Sequence, residues 1–335
     1  MVIIMNILFC SVGRRCELLK DFRKTLGDKV KLVVTDNSPY APALEFADVS
    51  YKVPLIRDEE YIPKILEICK KESIDAVTTL IDPEIAILAE NRDKFEALGV
   101  TVLAPYKETA ALCFDKYEMS KYLEQKGIAT VKTFGTFNDF KVAYDKGEIN
   151  LPVFVKPRTG SGSVGARRVD TYEMLEEVTA QDSSLIIQEL MTGMDMDADI
   201  YVDTVSHEPV AIFSKKKIST TIGGANKTIS FKDEALFEFV KKALTVFEFN
   251  GPLDMDLFYQ DGQYYLSEIN PRFGGAYLHA YGAGVDFPRF IYHNVEEKTA
   301  NEECIGQYEE DVVMMMYDSV VIKKLDDIEK SMTQA

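Results

Sequence analysis

Histidine, paired thiols and positive charge are what this 335-residue chain has little of. Its three histidines, His207, His279 and His293, are too few and too scattered to supply zinc hydrolysis or histidine base chemistry. The five cysteines, Cys10, Cys16, Cys69, Cys113 and Cys304, are odd in number and none lies in CxxC spacing. That excludes a disulfide framework and argues for buried thiols in a reducing cytoplasm. With 38 Lys and Arg against 55 Asp and Glu, the formal charge of −17 repels nucleic acid and anionic membrane. A polyanionic ligand would have to meet a local cluster of Lys, Arg and backbone N–H groups. The apolar first ten residues lack a basic leader and a cleavage site and are too short to span a bilayer, so they read as a buried strand, with Met5 as an alternative start. Internal repeats, low-complexity tracts and long linkers are absent as well.

What is present begins with an alternation of strand and helix. Apolar strands at Ile7 to Cys10, Val30 to Thr35, Ile74 to Leu80 and Val100 to Leu103 are separated by helical patterns at Arg15 to Leu26, Glu60 to Lys71 and Glu84 to Leu98. This predicts a parallel α/β domain. Its first turn, Ser11-Val12-Gly13-Arg14-Arg15, has one glycine where a dinucleotide fingerprint needs three, although Asp36 ends the second strand. Arg14 and Arg15 either hold an anionic substrate group at a helix N-terminus or are simply solvated. Asp82-Pro83-Glu84 is likewise either a helix cap or a wall of a substrate crevice.

The stretch Tyr264 to Arg272 carries the densest chemistry. Side chains alternate along a strand, so Glu268 and Asn270 share a face and suit a hard cation. Upstream, Gly251 to Tyr259 alternates acidic and apolar residues, and Gln260-Asp261-Gly262-Gln263 reads as a hairpin turn. A two-residue loop would turn Asp256 away from Glu268. A three-residue loop with Gly262 left-handed would set Asp256 opposite Glu268 and Asp254 opposite Asn270, and that odd loop is expected. An ordinary hairpin would instead leave such a stripe facing solvent. Here Arg272, Gly274 and Gly275 converge on the same strand end, which asks for a phosphorylated partner whose oxygens complete the shell of Mg²⁺.

Between these regions, Lys116 falls in the first turn of a helix ending near Gly127, where a cation opposes the helix dipole. A strand ending at Lys156 meets a loop with Gly160, Gly162 and Gly165, whose backbone N–H groups, with Ser161 and Ser163, can close on phosphate oxygens. No Lys-Ser/Thr follows, so this is not a Walker A loop. The strand Ser184 to Leu190 breaks into a turn where Gln188, Glu189 and Leu190 can read an adenine edge and Asp195 can accept from ribose hydroxyls; each acid is otherwise an ordinary turn residue. After the strand Pro209 to Phe213, the triplet Lys215-Lys216-Lys217 either contacts phosphate or carboxylate or forms a solvated edge. Phe231 to Phe249 reads as an amphipathic core helix, Val285 to Val295 as a helix, and Val312 to Tyr317 and Ser319 to Lys323 as closing strands.

The ordered set Lys116, Lys156, Gly160 to Gly165, Gln188-Glu189, Asp195, Asp256, Glu268-x-Asn270-Pro271-Arg272 resembles the ATP-grasp superfamily, most closely its carbamoyl-phosphate-synthase-like branch. The resemblance implies α/β and α+β architecture: an N-terminal parallel α/β domain (1–108), linker helices and a small mobile lid (109–190), and a larger mixed-sheet ATP and metal domain (191–335). It implies that Lys116 and Lys156 hold phosphate, Glu189 contacts adenine and Asp195 ribose. Asp256, Glu268 and Asn270 would bind two Mg²⁺, with Mn²⁺ able to substitute, and Arg272 and Lys217 stand as catalytic cations. Asp195 occupies a position where the family more often has Glu, and a single unit lacks the paired units and ammonia tunnel of carbamoyl phosphate synthases.

The expected activity is ATP-dependent ligation of a small-molecule carboxylate to an amine through an acyl phosphate, with no nucleic-acid or membrane partner and room for a homodimer. Carboxyphosphate or carbamoyl phosphate formation from bicarbonate, and a non-catalytic nucleotide-binding module, are the alternatives.

Overall fold

Short apolar runs separated by amphipathic helices become, in the computed structural model, a parallel sheet covered on both faces. The structure describes residues 4–160, 165–221 and 224–332. β1 (Met5–Cys10), β2 (Val30–Asp36), β3 (Val49–Lys52), β4 (Ala76–Thr79) and β5 (Thr101–Val102) pair in parallel in the order β3-β2-β1-β4-β5. The chain runs outward to β3 and then returns to the other side of β1. The carboxyl ends of β1 and β4 therefore flank the point where strand order reverses, the usual place for a ligand crevice in such sheets. Between β4 and β5, one expected helix is two, Asp82–Glu90 and Arg92–Glu96, because the Asn91 side chain donates to Ile87 O at 2.8 Å and ends the first.

A small antiparallel sheet follows, with β6 (Thr133–Phe134), β7 (Val153–Pro157), β8 (Arg167–Val169) and β9 (Leu185–Glu189) in the order β6-β9-β7-β8. Its own core of Phe134, Phe140, Val153, Val155, Leu175 and Ile187 is separate from the rest of the molecule.

The third sheet has six strands, β10 (Met194–Val202), β11 (Pro209–Thr221), β12 (Gly224–Phe231), β13 (Gly251–Gln260), β14 (Gln263–Asn270) and β15 (Val313–Met315), ordered β14-β13-β10-β11-β12-β15. Its five named pairings are all antiparallel rather than mixed, since short hairpins join β10 to β11, β11 to β12 and β13 to β14. A lone parallel bridge joins Thr130 to Leu266. The amphipathic helix Glu234–Leu244, started by Asp233 accepting from Ala235 N, packs Leu236, Phe237 and Val240 beneath the sheet. That apolar face shares one core with the helix Cys16–Leu26 and one side of the parallel sheet, so the two halves are joined by buried side chains.

The tail departs from expectation. Only Val313–Met315 is strand, because β12 offers it just Lys227 to Ile229 as partners. The Ser319 to Lys323 strand is absent, and Tyr317 and Ile322 stand 87% and 89% exposed before the helix Leu325–Met332. The helix expected over Val285 to Val295 is α-helical at Phe287–Tyr292 and relaxes into a wider π-turn at His293–Glu297. Among the described residues, no helix is long and apolar enough to cross a membrane.

Candidate functional site

The hairpin β13–β14 brings Asp256 opposite Glu268 and Asp254 opposite Asn270, as expected, but by a different device. Its loop has two residues: Asp261 (φ 52) and Gly262 (φ 81) close a primed turn between the paired Gln260 and Gln263. The register then shifts between Asp256 and Leu257, with Ser267 as the extra residue of a β-bulge. The bulge, not an odd loop, turns Glu268 and Asn270 onto the face of Asp256. Asn270 Nδ2 donates to Asp256 Oδ2 at 3.1 Å and lies 3.4 Å from Asp254 Oδ2.

Two lysines from different elements meet Glu268. Lys116, buried in the first turn of the helix Lys116–Gln125, lies 3.5 Å from Glu268 Oε1 and donates to Gly160 O at 2.6 Å. That helix start is stabilised by Asp115, whose side chain accepts from Tyr117 N and Glu118 N and partly offsets the misplaced cation. Lys156, at the end of β7, lies 3.6 Å from Glu268 Oε2. Burial lowers the Lys156 pKa against the pull of Glu268. Ser161, Gly162 and Ser163 lie outside the described residues.

Lys217 sits among three carboxylates, 2.9 Å from Asp195, 2.7 Å from Asp197 and 2.6 Å from Asp256. Burial works against its charge, but Asp256, Asp197 and Asp195 hold its pKa well above the ordinary lysine value. Burial alone would push Asp256 up; Lys217 and a hydrogen bond from Asp197 hold it below the usual carboxylate range. Asp197 moves the opposite way, pushed well up by burial against the pull of Lys217. Lys217 is thus engaged with acids rather than free for a phosphate.

Sequence reasoning missed the layer behind these residues. Lys215 is fully buried, ion-paired to Asp199 and 3.9 Å from Asp254. Burial pushes Asp254 up to about 7. Gly274 covers this layer: a Cβ there would fall 2.6 Å from Asp199 Oδ1 and 2.9 Å from Asp254 Oδ1. The signal was the period-two spacing of Asp195, Asp197 and Asp199, of Lys215 and Lys217, and of Asp254 and Asp256 on strands that turn out to be neighbours. Also missed was the contact of the two halves. Arg15 donates to Gly274 O at 2.9 Å and Phe273 O at 3.0 Å, while Arg272 pairs with Asp82 at 2.7 Å. Arg15 therefore binds the backbone of the other half, and Asp82 does more than start its helix.

A cavity of about 900 Å³ opens between the small sheet and this polar face. That is at the upper end of ordinary small-molecule sites, roughly 300–1,000 Å³. Lys116, Lys156, Gly160, Gln188, Glu189, Leu190, Asp195, Lys217, Asp256, Glu268, Asn270 and Arg272 all line it. Gln188 spends one side-chain N–H on Thr133 at 2.8 Å. Among the described residues, no three His, Cys, Asp or Glu side chains stand close enough to hold a metal ion by themselves. Two carboxylates and a carboxamide suit Mg²⁺ only if phosphate and water complete the shell, and the cavity has room for both. Of the buried polar atoms at this end without a hydrogen-bond partner, Asp82 Oδ1 and Arg272 Nε face each other as an ion pair and Asp197 Oδ1 faces Lys217, which leaves Asp199 Oδ1. Cations aimed at a cavity beside oxygen ligands fit a metal-bound polyphosphate.

A PylC-like N-terminal domain matches residues 7–103, and an ATP-grasp domain matches residues 113–276. The carbamoyl phosphate synthase large chain of Clostridium beijerinckii is 23% identical over 264 residues, covering 74% of this chain and 24% of its own length. Across the first such relatives, this chain spans about a quarter to a half of their length. An N5-carboxyaminoimidazole synthetase from Staphylococcus aureus, solved with ADP, superposes with a TM-score of 0.73 at 15% identity over 90% of this chain and 80% of that one. An L-amino acid ligase from Bacillus licheniformis superposes with a TM-score of 0.66 at 20% identity over 87% of this chain and 74% of that one. The chain thus carries an ATP-grasp domain behind a PylC-like N-terminal domain.

Proposed function

We propose that the protein is an ATP-dependent ligase joining a small-molecule carboxylate to an amine. The single observation that carries this is the convergence of Lys116, Lys156 and Arg272 with Asp256, Glu268 and Asn270 on one cavity. In the reaction, a substrate carboxylate oxygen bonds to the γ-phosphorus of ATP as the bond to the bridging β–γ oxygen breaks and ADP leaves. The amine nitrogen then bonds to the acyl carbon, phosphate departs with the carbonyl–oxygen electron pair, and the amine gives up a proton. Phosphoryl transfer needs positioning and charge neutralisation more than covalent help from the protein.

Lys116 and Lys156 would pass from Glu268 to the phosphates, and Arg272 would hold the transferring group. Asp256, Glu268 and Asn270 would hold Mg²⁺, which when bound neutralises charge on the transferring oxygens. Lys217 keeps Asp256 ionised and in place for that task. Glu189 and Leu190, at the end of β9, would meet the base, and Asp195 the ribose. The small sheet, with Lys156 and Gly160, would act as a lid that keeps water from the acyl phosphate. The relatives that ligate carboxylates to amines support this assignment. The described cysteines are all free, which supports a cytoplasmic setting.

The test screens ADP release over paired amino acids and small carboxylates, with Glu268→Gln as control. ADP should form only when a carboxylate is present, and Glu268→Gln should lose on the order of 10²-fold in rate. Wild-type turnover by that variant would sink the metal assignment, and calorimetry showing no magnesium-dependent ATP binding would sink the reading as a whole.

A further inference from the structure

Two arginines cross between the halves of the molecule in opposite directions. Arg272, within the ATP-grasp match, reaches into the N-terminal domain: Nε lies 2.7 Å from Asp82 Oδ1, and Nη2 donates to Asp82 Oδ2 at 3.0 Å. Arg15, within the N-terminal match, reaches back and donates to Gly274 O and Phe273 O. Phe273 O also accepts from Arg272 Nη1 at 3.0 Å, so one carbonyl is shared by both guanidiniums.

The placement of Asp82 is specific. It opens the helix after β4, at the carboxyl edge where strand order reverses, while Arg272 follows directly on β14 and lines the cavity. A guanidinium has five N–H groups. Here Asp82 takes the Nε side and one N–H of Nη2, and Phe273 O takes one of Nη1. One N–H on each terminal nitrogen is left for a ligand. A long flexible side chain is thereby held in one pose by its own neighbour's carbonyl and by Asp82, which lies outside the ATP-grasp match.

Resting on the ligase reading, we propose that Asp82 and Arg15 are positioning residues that aim Arg272 at the transferring phosphoryl group. The N-terminal domain thereby takes part in phosphate recognition without touching the nucleotide. Its packing against the end of β14 and the affinity of the phosphate subsite are one coupled property, so a substrate seated at the β1–β4 edge would be read by the arginine that handles phosphate.

The experiment titrates inorganic phosphate into the full-length protein saturated with ADP and Mg²⁺, by calorimetry, for wild type, Asp82→Asn, Arg272→Lys and the double variant. In Asp82→Asn, ADP–Mg²⁺ affinity should stay within about twofold while phosphate affinity falls about tenfold, a usual coupling between residues in contact. The double variant should bind phosphate no worse than Arg272→Lys alone, because Asp82 acts through Arg272. Asp82→Glu, which keeps the carboxylate, should recover part of the loss and replaces Asp82→Asn in the cycle if that variant fails to fold. Additive losses, or unchanged phosphate binding on replacing Asp82, would overturn the inference while leaving the ligase reading intact. Absence of ADP–Mg²⁺ binding in wild type would overturn the ligase reading, and the inference with it.

Discussion

The parallel N-terminal sheet and the six-stranded antiparallel sheet are both buried, yet they solve burial in opposite ways. In the first, β1 and β2 present Ile7, Leu8, Phe9, Leu32, Val33 and Val34, all fully enclosed, and both faces are apolar. In the second, one face is apolar through Met196, Ala198 and Ile200, while the other buries Asp197, Asp199, Lys215 and Asp254. An antiparallel sheet can leave its polar face in water at no cost. This one instead covers that face with the small sheet and with Gly274, so each charge must find a partner of opposite sign. The difference teaches where the molecule gives up stability for chemistry: the apolar sheet fixes the scaffold, and the charged one holds the groups that a ligand would meet.

The comparison can be broken most forcefully at Lys215. Lys215→Met keeps the side-chain volume but removes the ammonium, leaving Asp199 and Asp254 buried without their cation. A loss of about 3–5 kcal/mol in urea unfolding is expected. The matching change in the apolar sheet, Leu32→Met, should cost under about 1.5 kcal/mol, since volume is what that site reads. Equal, small losses at both positions would mean that the two sheets are stabilised alike.

A smaller effect sharpens the same contrast through pH. His279 is buried beside the large sheet, where Nδ1 meets Thr228 Oγ1 at 2.7 Å and Nε2 meets Val312 O at 2.9 Å. A carbonyl can only accept, so Nε2 carries the hydrogen and Nδ1 accepts from the threonine. Burial, with Lys215 nearby, pushes the His279 pKa down to about 4 from an ordinary 6.5. The unfolded chain therefore takes up the proton first as pH falls, and the neutral ring stabilises the fold fully above about 6.5 and progressively less toward 4. The stability gap between wild type and His279→Gln should be widest at pH 7 and shrink by up to about 3 kcal/mol by pH 4. A gap that does not change with pH would show that the ring is not held neutral. The first 103 residues contain no histidine, so this slope belongs to the large sheet alone.

Much of this was legible in the residues, and the gaps have physical causes. Apolar runs of period one and helical stripes of period 3.6 marked the parallel domain, because burial on both faces leaves an unbroken signal. The Asp256–Glu268 partnership could be read from face parity. The bulge at Ser267 could not, since one residue inserted in a strand leaves no compositional trace. Arg15, Asp82 and Lys215 were passed over or left open because their partners lie 259, 190 and 16 residues away, and pairing at such separation comes from topology. The tail misled because side-chain type alone does not make a strand: Val320, Val321 and Ile322 are strand-forming residues yet stand exposed outside any named strand.

The mildest test asks whether the device that sets the metal-ligand register is the loop or the bulge. Gly262 has φ +81, and nothing lies within 4 Å of where its Cβ would be. Gly262→Ala should therefore cost only the conformational strain of a left-handed alanine, about 1 kcal/mol in thermal unfolding. The register beyond it is corrected at Ser267, five residues past Gly262 and on the far side of four ladder pairs. Magnesium-dependent ATP binding should accordingly be unchanged in this variant. A turn that set the register itself would, on slipping by one residue, swing Glu268 and Asn270 to the opposite face. Loss of that binding alongside a small stability change would thus assign the register to Asp261 and Gly262, whereas retention assigns it to the bulge.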